Sequence, residues 1–368
     1  MSALLLSRLD RTARWMKRGG RDGDVVLSSR VRLARNFWRF PFPQRAGTQD
    51  LLQVRERVLS ALDEVAPSAP ASLLVLPLEQ FAFYERRSLV DRHLSSREHI
   101  RDELGRALVT TSDGSFSVMV NEEDHLRLNC VLPGLQIDAA LDACDKMDDA
   151  LEAHFDGKSA FAFDEQFGFL TSCPTNAGTG LRASTMLHLP ALFLLGELDE
   201  ARAWAHECGF ILRGTTGEGS SIAGHIEQLS NQCTLGQDER DIALETEGAA
   251  RELVGRERTA RERLRIERPL EARDAIGRAY GTLRYALRIG GDEALEALSF
   301  LRLGHELGWM KGLSRQRFNE LSVWARPDYL CVLHSRELSP IERRTLRADL
   351  LRVHIGKVKL EPAFEQLP

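Results

Sequence analysis

The chain has 368 residues, 43% of them hydrophobic and 28% charged, which suits about two folded domains and excludes global disorder. A net charge of −5 offers no polycation to nucleic acid. No apolar run approaches the ~20 residues of a membrane span, Ala3–Leu6 is too short for a signal-peptide core, and the six cysteines, at 130, 144, 173, 208, 233 and 331, form no CxxC pair.

A soluble, reduced, cytoplasmic protein is therefore expected, with neither a zinc ribbon nor a disulfide scaffold. Arginine supplies 43 of the 49 basic residues, so nearly every basic site uses a planar, permanently charged fork. In chain order, residues 1–21 form a basic, partly apolar segment and Gly19–Asp24 reads as a turn. Val25–Leu33 (VVLSSRVRL) predicts a strand with polar residues on one face. Thr48 is expected to cap a helix carrying Leu51, Leu52, Val58, Leu59, Leu62 and Val65 at helical spacing. Further strands are expected at Ser72–Leu76, Ser117–Val120, Arg127–Leu132 and Gly168–Cys173, with helices at Ala139–His154 and Leu198–Gly209. From about Leu235 the chain turns Leu/Ala/Glu/Arg-rich and helical in period, with a break at Gly290–Gly291. The final helix has a complete start signal in Ser339, Pro340 and Glu342. The expected fold class is α+β followed by an all-helical unit, divided as 1–21, 22–240 and 241–368.

Four segments carry chemistry. Asn121-Glu122-Glu123-Asp124-His125 sits between two apolar strands, with Arg127 three residues beyond Asp124. Adjacent carboxylates held at the end of a sheet can take a guanidinium or a metal-bound water. Thr171–Pro190 is an amide-rich, glycine-containing stretch leading into Arg182, suited to an anion. Arg213–Ser220 is a second glycine loop, opened by arginine and holding Glu218. In Ser28-Ser29-Arg30-Val31-Arg32, alternation puts Arg30 and Arg32 on one strand face, costly unless an anion or carboxylate neutralises them. Together they suggest arginines around a polyphosphate with carboxylates opposite: phosphoryl transfer without a Walker lysine.

At these residues the sequence resembles the guanidino (phosphagen) kinases over roughly residues 22–235. SSRVR, VNEEDHLR, LTSCPTNAGTGLR and the RG…G loop occur in that family's order. The resemblance implies an antiparallel sheet flanked by helices. It is nearer to the bacterial protein arginine kinases. SSRVR begins at residue 28, leaving no room for the helical domain that closes over small guanidino substrates. RGTTGEGS and Gln228–Gly236 resemble that branch, and a helical domain follows the catalytic one.

By this resemblance Ser28, Ser29, Arg30, Val31, Arg32, His93, Arg127, Arg182, Ala183, Ser184, Thr185, Met186, Arg213, Gly214, Thr215, Thr216, Gly217 and Glu218 match ATP-binding positions. Glu123 matches the general base, Glu122 and Asp124 its acidic neighbours, Glu218 a second guanidinium carboxylate and Cys173 the active-site cysteine. Magnesium is expected through ATP and water near Glu122 and Asp124, with no direct protein ligand. Arg343 and Arg347 fall where the branch has a phosphoarginine-recognition motif, although RRTLRA replaces its RDxxRA. Thr216 and Ser221 also depart from the branch. The implied partners are arginine-bearing protein substrates, a zinc-containing activator, a Clp chaperone–protease and a second copy of the chain, in stress response and protein quality control. The alternatives are a kinase for a free guanidino compound and a non-catalytic adaptor binding ATP or phosphoarginine.

Overall fold

A computed structural model describes residues 8–17, 19–155, 160–216 and 222–365. Its catalytic part is built on β1 (Val26–Arg35), α1 (Thr48–Glu64), β2 (Leu73–Pro77), α2 (Phe83–Asp91), β3 (Ala107–Thr111), β4 (Phe116–Val120), β5 (Leu126–Pro133) and α3 (Ile137–His154). It continues through β6 (Phe163–Asp164), β7 (Gly168–Phe169), β8 (Leu181–His188), α4 (Pro190–Leu195), α5 (Leu198–Glu207), β9 (Phe210–Thr216), β10 (Ile222–Asn231) and α6 (Glu239–Glu267). The helical unit holds α7 (Pro269–Tyr285), α8 (Gly291–Glu306), β11 (Met310–Lys311), α9 (Arg315–Trp324), α10 (Pro327–Leu333), α11 (Pro340–Ile355), β12 (Lys359–Leu360) and α12 (Pro362–Glu365).

Eight strands form one sheet in the order β2-β3-β4-β5-β1-β8-β10-β9, with antiparallel neighbours throughout. Its two faces differ because side chains alternate along each strand. Val31, Leu33, Leu128, Cys130, Leu181, Ala183 and Leu229 turn to one side and are buried. There α3 covers β1 and β5 while α6 lies across β8. Ile137, Ala140, Leu141, Cys144, Met147 and Leu151 give α3 its buried stripe at helical spacing, each large side chain contributing about 1.5–3 kcal/mol.

The other face is apolar at the β2–β4 end, where Leu76, Leu108 and Met119 pack with Leu78, Phe81 and Leu89. Its centre carries Arg30 and Arg32, which are half-buried. The compositional change near Leu235 marks the approach to α6, which still packs on the sheet; the helical unit begins at Pro269, with α8 also lying on β10 and α10 on α2.

Two local expectations are corrected. Gly47, not Thr48, occupies the α1 cap, because the Asp50 carboxylate accepts the Gly47 N–H at 3.0 Å. Only Gly168–Phe169 of the predicted 168–173 strand is a strand, pairing with Phe163–Asp164 and bridging to Gly178 rather than joining the main sheet. Beyond it the chain turns away at Ser172, whose N–H and hydroxyl are taken by the acidic turn. No described helix is long and apolar enough to cross a membrane, and all six cysteines are free.

The sheet's helix-covered side carries a measurable electrostatic strain. Burial and then the neighbouring Glu239, Asp148 and Asp149 push the Asp145 carboxyl up to about 7, despite the opposing pull of Arg240. A carboxyl raised in the folded state costs stability as pH climbs through the interval between its unfolded and folded values. Asp145→Asn is therefore expected to raise Tm by an amount that is nil near pH 3.5, grows to about pH 7 and is level above. Thermal melts across that range check it, and a pH-independent gain would refute the assignment.

Candidate active site

The acidic turn joins β4 to β5, and its first residue, Asn121, has a left-handed φ of 56°. The Asn121 amide donates to the carbonyls of Leu51 (2.8 Å) and Gly105 (2.7 Å), which fixes that conformation. The three carboxylates after it converge on one guanidinium. Arg127 lies 2.7 Å from Glu122, pairs with Glu123, and reaches Asp124 at 3.3 Å. Burial alone would lower the Arg127 pKa, but Glu122, Asp124 and Glu123 raise it above the usual arginine value.

The three acids are not equivalent. Glu122 and Asp124 side chains are 3% and 0% exposed, whereas Glu123 is 30% exposed. Glu122 accepts from Ser96 Oγ at 2.5 Å and from the Glu123 N–H at 2.7 Å. Burial works to raise its pKa, yet Arg127, Ser96, the Glu123 amide and His99 hold it below the ordinary value. Asp124 accepts from Asn36 Nδ2 (2.7 Å) and from the Ser172 N–H (2.8 Å). Glu123 is thus the acid with room to meet an incoming group.

His125 orients the turn. Its Nδ1 accepts the Phe37 N–H at 3.1 Å, so Nε2 carries the proton toward the Pro41 carbonyl at 3.0 Å. Burial lowers its pKa to about 4, keeping the ring neutral.

Beside this turn the sheet presents the arginines. Arg32 lies opposite Asn129 on β5 and opposite Arg182 on β8, and Arg30 lies opposite Ser184. Arg213 continues the row on β9, opposite Gln228 of β10. Burial, and then Arg127, depress Arg30 to about 10. Arg32 is driven down by burial and by Arg30, Arg127 and Arg182, and Arg182 by burial, Arg213 and Arg127. Few acceptors answer this charge. Arg30 Nε donates to Asn129 Oδ1 at 2.5 Å and Arg182 Nη2 to Ser230 Oγ at 3.4 Å. The Nε atoms of Arg32 and Arg182 are buried with no partner. Crowded cations with idle donors fit a polyanion.

Alternation sorts the run matched by resemblance. Arg30, Arg32, Arg182, Ser184 and Met186 share the open face; Ser29, Val31, Ala183 and Thr185 point into the covered one. Ser29 Oγ donates to the Gly134 carbonyl at 2.8 Å. His93 is half-buried, with φ 63°, and its carbonyl accepts Asn129 Nδ2 at 3.3 Å. Burial, then Arg30 and Arg326, push it down to about 3. Met186 and His93 line one small cavity of about 20 Å³ with Ser322 and Arg326 of the helical unit.

Cys173 is half-buried on the loop after β7, its Sγ 3.0 Å from Thr175 Oγ1. Gly178 anchors that loop: at φ 108° a Cβ would lie 2.3 Å from the Thr234 carbonyl oxygen, so only glycine fits. Gly217, Glu218 and Ser221 lie outside the described residues, as do the side chains of Thr215 and Thr216.

Arg343 and Arg347 are one turn apart on α11 of the helical unit. Arg347 is 1% exposed, and its guanidinium donates to the carbonyls of Ala325 (2.5 Å) and Ile289 (3.0 Å). Among the described residues no group of three or more His, Cys, Asp or Glu side chains is placed to hold a metal. The buried oxygens of Glu122 and Asp124 are engaged by protein donors, so these residues fit magnesium only through water and phosphate.

Several residues escaped sequence reasoning: Asn36, Ser96, Asn129 and Ser172. Asn129 had a signal, being a polar residue in register with Arg127 on an apolar strand. Asn36 and Ser96 had none, since each acts across the fold.

Residues 53–260 match the C-terminal catalytic domain of the ATP:guanido phosphotransferases, and residues 269–366 match the protein-arginine kinase McsB C-terminal domain. A protein-arginine kinase from Moorella thermoacetica is 41% identical over 347 residues, covering 94% of this chain and 97% of that relative. The chain belongs to the protein-arginine kinase family. A second family member, from Symbiobacterium thermophilum, is 41% identical over 355 residues, spanning 96% of this chain and 98% of that one. The kinase fold is also seen in a duplicated taurocyamine kinase from Schistosoma mansoni, at 26% identity and a TM-score of 0.57, covering 72% of this chain and 39% of that one. Lombricine kinase shares the fold at 21% identity and a TM-score of 0.55, over 70% of this chain and 71% of that one.

Proposed function

We propose that the chain transfers the γ-phosphate of magnesium ATP to arginine side chains of proteins, with Glu123 as the base. The observation that carries this is the single accessible carboxylate of the acidic turn, beside a row of arginines whose donors are unfilled. A guanidinium of pKa near 13 must shed a proton to attack phosphorus, a deficit of roughly 8 kcal/mol at pH 7, from about 1.36 kcal/mol per unit. Glu123 would orient the nucleophilic nitrogen by hydrogen bonding and accept its proton as the N–P bond forms and the bond to the β-phosphate oxygen breaks. Arg30, Arg32, Arg127, Arg182 and Arg213 would spread over the triphosphate and the departing charge. Magnesium bound to the nucleotide would supply further charge neutralisation. Glu218 is proposed as a second carboxylate for the acceptor guanidinium, and Cys173 as a neighbour of the transfer site.

The same reading includes binding of phosphoarginine near Arg343 and Arg347, substrates marked for Clp-type proteolysis or a regulated repressor, a zinc-containing activator and a homodimer. These follow from the family resemblance. Exposed Leu270, Tyr285 and Leu287 on or beside the helical unit's α7 suit self-association.

Competition separates a protein kinase from a kinase for free guanidino compounds. Millimolar free arginine is expected to reduce labelling of an unfolded protein by less than about twofold, since affinity for a protein substrate draws on more than one side chain. Suppression by tenfold or more, with free arginine itself phosphorylated, would overturn the protein-substrate reading.

A further inference from the structure

The chain between α2 and β3 is fastened to the strands that carry the acidic turn. Trp15 Nε1 donates to the Arg92 carbonyl, Asn129 Nδ2 of β5 to the His93 carbonyl, and Ser117 Oγ of β4 to the Leu94 carbonyl, each at 3.3 Å. His99, 0% exposed, closes the turn that follows. Its Nε2 lies 3.1 Å from the Val120 carbonyl at the end of β4, and its Nδ1 lies 2.8 Å from Ser95 Oγ. A carbonyl can only accept, so Nε2 carries the proton and Nδ1 accepts from Ser95. The ring thus ties this turn to the residue two places before Glu122.

Inside that turn Ser96 has a fixed polarity. Its Oγ accepts the His99 N–H at 3.0 Å, and its own proton goes to Glu122 Oε1 at 2.5 Å. The other oxygen of Glu122 faces the transfer site: Oε2 accepts the Glu123 N–H at 2.7 Å and lies 2.7 Å from Arg127 Nη1. The two oxygens of one buried carboxylate therefore have separate tasks. A carboxylate deprived of the Ser96 donor would turn to satisfy Oε1, and in turning would take Oε2 off Arg127 and off the backbone of Glu123.

We propose that Ser96 is a positioning residue for phosphoryl transfer: its hydroxyl, aimed by the His99 amide, holds Glu122 in the one orientation that keeps Arg127 and the Glu123 backbone in place, and so points Glu123 at the acceptor guanidinium. The proposal rests on the reading of Glu123 as the base. It also explains why two neighbouring acids do not compete for the proton. Ser96 and the Glu123 amide occupy Glu122, Asn36 and Ser172 occupy Asp124, and hydrogen bonds to the charged form make a carboxylate a weaker base.

The test is steady-state kinetics of the full-length protein with magnesium ATP and an unfolded, arginine-rich protein, each rate referred to the folded fraction measured by melting. Ser96→Ala is expected to lower kcat about tenfold, the lower end of what a hydrogen bond to a charged group is worth, with the KM for ATP within twofold of wild type. Ser96→Thr keeps the hydroxyl and should recover kcat to within about threefold. Added to Glu123→Gln, Ser96→Ala should remove less than a further twofold, because a residue acting through Glu123 has nothing left to aim. A kcat within twofold of wild type in Ser96→Ala, no recovery in Ser96→Thr, or a full tenfold loss on top of Glu123→Gln overturns the proposal. So does a loss that follows the folded fraction alone. The two ideas fail separately. Full activity of Glu123→Gln refutes the base reading, with Ser96→Ala still read against Ser96→Thr. Full activity of Ser96→Ala beside an inactive Glu123→Gln refutes the positioning role alone.

Discussion

Glu123→Gln is expected to lower phosphoryl transfer by about 10²–10⁴-fold, the usual worth of a positioned general base, with ATP affinity within a few-fold of wild type. The amide keeps the side chain's shape but cannot take the proton. Arg127 keeps Glu122 and Asp124 as partners, so the turn stays built and the arginine row is untouched. The buried neighbours should behave differently. Asp124→Ala leaves the Asn36 amide and the Ser172 N–H without their acceptor, and an abandoned buried donor costs about 1–3 kcal/mol. That variant should lose thermal stability together with activity, whereas Glu123→Gln should melt like wild type. Stopped-flow or steady-state kinetics with melting curves on both variants separate the roles. Transfer in Glu123→Gln within about fivefold of wild type would remove the base assignment.

Arg35→Met is expected to be the most damaging single change outside the turn. It leaves Asp148 as a buried charge without its partner and strips the Thr179 carbonyl of a donor. Breaking a buried pair from one side typically costs 3–5 kcal/mol, here about 10 °C in Tm for a unit of this size. The double variant Arg35→Met with Asp148→Leu should recover part of that loss, because no uncompensated charge remains. Differential scanning calorimetry of both proteins checks the pair. Equal melting of Arg35→Met and wild type would show that Arg35 carries none of the packing assigned to it.

The site was more legible in the sequence than the sheet around it. Three acids in a row followed by Arg127, and Arg30 alternating with Arg32, announce chemistry because no solvated surface needs them between apolar strands. The adjoining strands were harder to see. Leu181, Ala183, Thr185 and Leu187 do alternate with Arg182, Ser184 and Met186, but the glycines before them gave the stretch the look of a loop. Arg213 likewise read as the mouth of a glycine loop, while its backbone belongs to β9. What the sequence could not reveal are pairings across the fold: Arg35 with Asp148, Asn36 with Asp124, Ser96 with Glu122. Each joins residues tens of positions apart whose types are ordinary where they stand. Only the closed sheet brings them together.

The central claim is that this arginine-lined face and its one accessible carboxylate move phosphate onto protein-borne arginine. The most direct measurement is incubation of the full chain with magnesium ATP labelled in the γ-phosphate and an unfolded, arginine-rich protein. Label is read by its acid lability and by mass spectrometry kept free of acid. Phosphate is expected on arginine side chains, lost in acid and absent with Glu123→Gln. Label confined to serine or threonine, or arginine left unmodified while ATP is bound, would contradict it.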